Sequence, residues 1–181
     1  MFSVDEFKTK VKEIMEGSET DLPYRNRVEV FAVKDGKVYG GFYPDGAFGT
    51  FGGGTDGESL EGACKREYKE ETGYTIKNVQ KLDIPAVEVG WKTSPKNEKQ
   101  EERQKKYKGT RSWYFYAELG DKGKKATGED GESALKDIGL IDIDKAIKSL
   151  DRKGGDESIK AQMNARKKAL KILKEKLDGM V

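Results

Sequence analysis

The chain contains no histidine. That absence removes the Ser-His-Asp triad, the Cys-His pair, imidazole metal ligands and a histidine general base together. Any catalysis falls to carboxylates, lysine, tyrosine, backbone donors or a metal held by oxygen. A single cysteine, Cys64, excludes a disulfide scaffold and a cysteine-based zinc site, and fits a reducing compartment. Four prolines exclude a proline-rich linker or a collagen-like chain. No segment approaches the ~18 apolar residues of a membrane span. Asp5 and Glu6 interrupt the N-terminal segment, so no signal peptide is expected there. The deficits predict a cytoplasmic protein with no membrane partner.

What the chain has in excess is charge, and the charge is balanced. Lys+Arg number 35 and Asp+Glu 33, a net of +2 from 38% charged residues, against roughly 25% in an average soluble domain. With acids interleaved among the bases, sequence-independent nucleic-acid binding is not favoured. Hydrophobic residues at 34% and 22 glycines in 181 residues suffice for one modest core, so residues 1–181 are expected to form a single domain.

Patterning along the chain predicts strands, one embedded helix and flanking helices. Val4, Phe7, Val11 and Ile14 repeat at helical spacing. Arg27 to Val33 alternates and runs into Asp35-Gly36, a two-residue hairpin signal, with a returning strand over 37–43. Ser59 and Gly73 bracket a helix as N-cap and C-terminal stop. Strands are expected at 74–79, near 84–91 and at 110–119, and a strand and short helix within 140–150. Residues 93–109 read as a charged, solvated loop, and residues 120–133 as a second polar loop. The tail, about 157–178, reads as an amphipathic helix with Ile159, Met163, Leu170, Leu173 and Leu177 on one stripe. The fold class is α+β, or a three-layer α/β/α arrangement.

The chemistry concentrates in residues 52–74, GGGTDGESLEGACKREYKEETGY. At 100° per residue, Glu70 and Glu71 lie about 60° and 40° to either side of Glu67. The same stripe carries Leu60, Ala63 and Cys64 toward its N-terminus, so the face is apolar first and triply acidic last. Three clustered carboxylates repel one another unless a cation sits among them. Oxygen donors alone suit Mg²⁺ or Mn²⁺. The glycines ahead of the helix read as flexible, side-chain-free backbone whose amides can approach a phosphate. Metal-binding acids beside such amides suggest phosphoanhydride chemistry. The plain alternative for the acids alone is a solvent-facing helix softened by Lys65 and Lys69.

The spacing decides between them. The segment resembles the Nudix box: glycine, five residues, Glu, seven residues, Arg-Glu, an apolar residue, any residue, Glu-Glu, any residue, glycine, an apolar residue. Here these are Gly52, Glu58, Arg66, Glu67, Tyr68, Glu70, Glu71, Gly73 and Tyr74. Both apolar positions are tyrosines, and Thr50-Phe51-Gly52 stands where many members have Pro-Gly-Gly or Pro-Ala-Gly. The resemblance implies a Nudix-like α/β/α sandwich with a mixed sheet and extra N- and C-terminal helices. It implies a hydrolase cleaving a nucleoside diphosphate linked to another moiety, of NTP, ADP-ribose or dinucleotide type. Glu67, Glu70 and Glu71 would ligate Mg²⁺, for which Mn²⁺ can substitute, with Glu58 at the edge and the Phe51 backbone carbonyl as a further ligand. Arg66 would hold an acidic partner, and Glu67 or Glu70 would act as the base, with Glu129 or Glu132 as outside candidates for that role.

Around the box, Gly52, Gly53 and Arg111 are candidate substrate contacts. Lys105, Lys106, Lys108 and Arg111 offer cations to phosphates or RNA, and the strand 112–116 offers a ring to stack on a base, against a plainer role in core packing. Two further readings accompany the hydrolase: an RNA 5′-end (cap) hydrolase guided by the basic stretch, and a non-catalytic nucleotide-binding module. No box carboxylate is missing, which speaks against the last. The C-terminal helix reads as a packing or homodimer element, and Cys64 as a small buried residue.

Overall fold

A computed structural model describes residues 22–124, 134–151 and 154–180. The chain divides into two compact units; of the described residues, one holds 22–25 and 88–111 and the other 26–87 and 112–180. The expected helix near residue 4 and the segment carrying Glu129 and Glu132 lie outside the described residues. The strands are β1 (Tyr24–Lys34), β2 (Lys37–Phe42), β3 (Phe48–Gly49), β4 (Phe51–Gly54), β5 (Tyr74–Lys81), β6 (Val87–Gly90), β7 (Gly109–Lys122) and β8 (Lys136–Ile141). The helices are α1 (Leu60–Thr72), α2 (Glu98–Lys106), α3 (Ile143–Ser149) and α4 (Glu157–Asp178). None of these helices is long and apolar enough to cross a membrane.

In the larger unit the strand order is β3-β2-β1-β7-β5, with β4 paired to β1 and β8 to β2. The β1–β2 hairpin closes at Lys34 and Lys37. Its two loop residues, Asp35 and Gly36, both have positive φ, 51° and 73°, the mirror-image turn that matches strand twist. Alternation along β1 then sorts side chains to two faces. Val28, Val30 and Ala32 pack with Phe51, Ala63, Cys64 and Tyr68. Phe31 and Val33 pack with Tyr114, Ala146, Leu170 and Leu173. The sheet thus lies between α1 on one face and α3 with α4 on the other, a mixed α+β sandwich.

Local chemistry explains the ends of α1. Ser59 Oγ accepts from the Gly62 N–H at 3.1 Å, and Gly73 takes φ 80° while its N–H donates to the Lys69 carbonyl, so both ends are satisfied. Helix α4 covers the predicted tail, with Asp156 as its cap. Its buried stripe differs from expectation: Met163, Ala165, Ala169, Leu170 and Leu173 are buried, whereas Ile159 is exposed. Small alanines let the helix lie close to the sheet, and Ile159 stands exposed in the first turn. The strand expected over 84–91 shortens to β6, because Pro85 supplies no N–H to a ladder.

The smaller unit corrects the reading of 93–109 as a loop. Residues 98–106 are helical, with Asn97 Oδ1 accepting from the Gln100 N–H at 2.9 Å. Lys105 pairs with Glu102 at 2.9 Å and with Glu101 at 3.5 Å. Good helix formers, a cap and i,i+3 and i,i+4 ion pairs sustain a helix that buries nothing.

Candidate active site

Helix α1, strand β4 and the connection 55–59 between them carry the acidic constellation. Arg66 is its hub. Its Nε donates to Glu58 Oε1, its Nη1 to Glu67 Oε1 at 2.9 Å and to Glu70 Oε2 at 3.3 Å, and its Nη2 to the Gly54 carbonyl at 3.0 Å. Asp56 approaches Nη2 at 3.9 Å. Burial works against the guanidinium charge, but Glu58 and Glu67 bonded to it push its pKa above the ordinary arginine value. Four carboxylates against one guanidinium leave a formal surplus of three negative charges. Glu71 adds another anion, and its Oε2 accepts from the Gly52 N–H at 3.2 Å.

The glycines ahead of α1 are strand, which corrects their reading as flexible backbone. Gly52, Gly53 and Gly54 lie in β4, in register with Glu29, Val28 and Arg27 of β1. Their lack of side chains answers two close approaches. A Cβ on Gly52 would run into the Val28 carbonyl oxygen. A Cβ on Gly53 would run into the Glu67 carboxylate, standing 2.6 Å from Oε1 and closer to its other atoms. Gly53 therefore leaves the space in which Glu67 sits, and Glu67 is 14% exposed where Glu70 is 48% exposed.

The donor set fits a hard divalent cation in its chemistry: surplus negative charge, oxygen atoms only, and a backbone cradle around one carboxylate. Among the described residues no group of three acids is already gathered around a common metal position. The Arg66 guanidinium stands among them instead. Glu70 is half in solvent.

Other sequence candidates fall elsewhere. The trans peptide linking Phe51 to Gly52 directs the Phe51 carbonyl opposite to the Gly52 N–H, hence away from the Glu71 carboxylate. The Phe51 ring is buried against Tyr68, edge-on at 5.8 Å. Arg111 belongs to the smaller unit, where Glu88 Oε1 accepts from its Nη2 at 2.6 Å and its Nε at 2.8 Å. In the strand 112–116, Tyr114, Phe115 and Tyr116 are buried core, whereas Trp113 is half-buried with Lys81 Nζ 4.3 Å from its ring centroid. Burial pushes the Cys64 thiol up to about 12, which removes it as a nucleophile.

One buried pair escaped the sequence. Arg166 of α4 donates from Nε to Glu29 Oε2 at 2.9 Å and from Nη2 to Glu29 Oε1 at 2.8 Å. The available signal was Glu29 itself, a charge sharing its strand face with Phe31 and Val33.

A profile of the NUDIX domain matches residues 22–162, and the chain belongs to the Nudix family. It is a Nudix hydrolase, and such enzymes work with divalent metal ions. Among solved structures it is similar to an ADP compounds hydrolase, at 17% identity and TM-score 0.53, covering 88% of this chain and 76% of the other. It is similar to a UDP-X diphosphatase at 15% identity and TM-score 0.50, covering 93% and 71%. A MutT NUDIX hydrolase from Burkholderia pseudomallei aligns at 17% identity and TM-score 0.47, covering 78% and 96%. These likenesses are of fold. No functionally curated protein matches the chain in sequence.

Proposed function

We propose that the protein is a Mg²⁺-dependent pyrophosphohydrolase, with Mn²⁺ able to substitute, acting on a nucleoside diphosphate linked to another moiety. The substrate class is a small nucleotide of NTP, ADP-ribose or dinucleotide type. The observation that carries this reading is the convergence of Glu58, Glu67 and Glu70 on a single guanidinium, with Glu71 of the same helix accepting from the Gly52 N–H of β4 beside them. Two proteins of similar fold, an ADP compounds hydrolase and a UDP-X diphosphatase, are by name enzymes of the same substrate class.

Glu67, Glu70 and Glu71 would hold the ion, with Glu58 at the edge. The ion would neutralise phosphate charge and lower the pKa of the attacking water. The chain's own residues do the rest. Glu67 or Glu70 accepts the proton of the water as its oxygen bonds to phosphorus and the bridging P–O bond breaks. Arg66 fixes the carboxylates' directions through its three-sided contacts, and Gly53 lets Glu67 lie against the strand.

The test is a nucleotide panel incubated with Mg²⁺ or Mn²⁺, with and without chelator, and products identified by mass. Cleavage at a phosphoanhydride, abolished by chelator, is expected. Glu70→Gln should lose about 10²-fold in rate, the scale of one charge-stabilising group. Undiminished turnover by that variant would reject the assignment.

A further inference from the structure

Helix α4 outruns the family match, which ends at residue 162, and Arg166 lies in that excess. Its guanidinium and the Glu29 carboxylate are only 13% and 14% exposed, on the sheet face opposite α1. Burial raises the cost of the Glu29 charge, but Arg166 more than offsets it and holds the carboxyl below the usual carboxylate range. The planar fork engages both oxygens, which fixes direction as well as distance. Tyr43 completes the setting, with its ring centroid 5.6 Å from the guanidinium carbon.

Glu29 sits at a particular place on β1: its cross-strand partner is Gly52, the first residue of the box. Gly52 presses so closely on β1 that a Cβ would strike the Val28 carbonyl oxygen and come 3.0 Å from the Glu29 Cα. On its other side β4 meets the acids of α1, through the Gly52 N–H bonded to Glu71 and through Gly53 packed on Glu67. Strand β4 is therefore gripped between β1 and the carboxylates. A shift of β1 at Glu29 has no side chain to absorb it before it reaches Glu67 and Glu71.

We propose that Arg166 is a positioning residue of the metal site: by clamping Glu29 it holds β1 as the wall against which Gly52 and Gly53 set Glu71 and Glu67. The inference rests on the metal-site reading above. It gives a role to the C-terminal helix that the box alone does not contain.

The test compares Arg166→Met and Arg166→Lys with Leu173→Ala, a truncation of buried core about two turns further along the same helix. Two quantities are read on the full-length protein below its unfolding temperature: amide hydrogen exchange over residues 51–54 without metal, and Mn²⁺ affinity by electron paramagnetic resonance. Arg166→Lys keeps a cation beside Glu29 and loses only the fork, so it serves if Arg166→Met does not fold. Both Arg166 variants should speed exchange at 51–54 and weaken Mn²⁺ binding by at least about fivefold. Leu173→Ala should lower the unfolding temperature while leaving Mn²⁺ affinity within about twofold. Arg166 variants that exchange and bind like the wild type, or a Leu173→Ala protein that shifts both quantities equally, would overturn the proposal. A wild type that binds no Mn²⁺ would remove the metal-site reading and this one with it, an outcome distinct from a metal-binding wild type indifferent to Arg166.

Discussion

Replacing Gly53 by alanine separates catalysis from stability in a way that the geometry allows to be sized. The added Cβ would stand 2.6 Å from Glu67 Oε1, whereas ordinary contact begins at 3.4 Å. The difference, 3.4 − 2.6, is 0.8 Å for that oxygen and larger for the carboxylate's nearer atoms. Glu67 must then withdraw by about 1 Å, a misplacement on the scale that costs ~10²-fold in rate. The fold should tolerate the change. Gly53 is not among the positive-φ residues, so alanine brings no backbone strain, and it removes about 0.4–1 kcal/mol of unfolded-state entropy in compensation. Gly52→Ala is the contrast: its Cβ meets the backbone of Val28, which cannot rotate away, and the overpacking should cost about 1–3 kcal/mol. The assay pairs steady-state hydrolysis at saturating Mg²⁺ with urea unfolding of each variant. A Gly53→Ala enzyme with wild-type kcat and wild-type metal dependence would refute the placement of Glu67 against β4.

Two further outcomes follow from buried polar groups. The Tyr68 hydroxyl is buried without a hydrogen-bond partner among the described residues, so Tyr68→Phe should stabilise the protein by about 1 kcal/mol, or roughly 2–4 °C in thermal unfolding; a loss of stability would show that the hydroxyl is satisfied. Glu29 carries a carboxyl whose folded pKa lies below its ordinary 4.5. The stability it contributes is complete above the unfolded pKa and is lost as pH falls through the folded one. Urea unfolding as pH falls from neutral to well below 4.5 should show the wild type losing its advantage over Glu29→Gln/Arg166→Met; a constant difference would refute the linkage.

The elements most legible in the sequence were those specified by neighbours along the chain. Ser59 and Gly73 announce the two ends of α1, Asp35-Gly36 announces the hairpin, and the glutamate spacing announces the acidic face. What depended on distant partners stayed hidden. Arg166 and Glu29 are 137 residues apart, and only the packing of α4 on β1 brings them together. Gly52 to Gly54 lack β propensity, yet form a strand because β1 on one side and Glu67 on the other leave no room for side chains. Residues 98–106 carry no apolar stripe, so periodicity passes over a helix held by its cap and ion pairs. Ile159 satisfies the period of α4 but stands exposed in its first turn.

The acids on the last turns of α1 are proposed to hold a divalent ion. Manganese titration of the wild type, Glu67→Gln, Glu70→Gln and Glu71→Gln tests this directly, with Glu61→Gln as control, since Glu61 lies on the same helix paired to Lys65 at 2.8 Å. Bound Mn²⁺ is expected in the wild type and in Glu61→Gln, and affinity weaker by about 10-fold or more in the other three. Equal affinity across all five proteins would contradict the proposal.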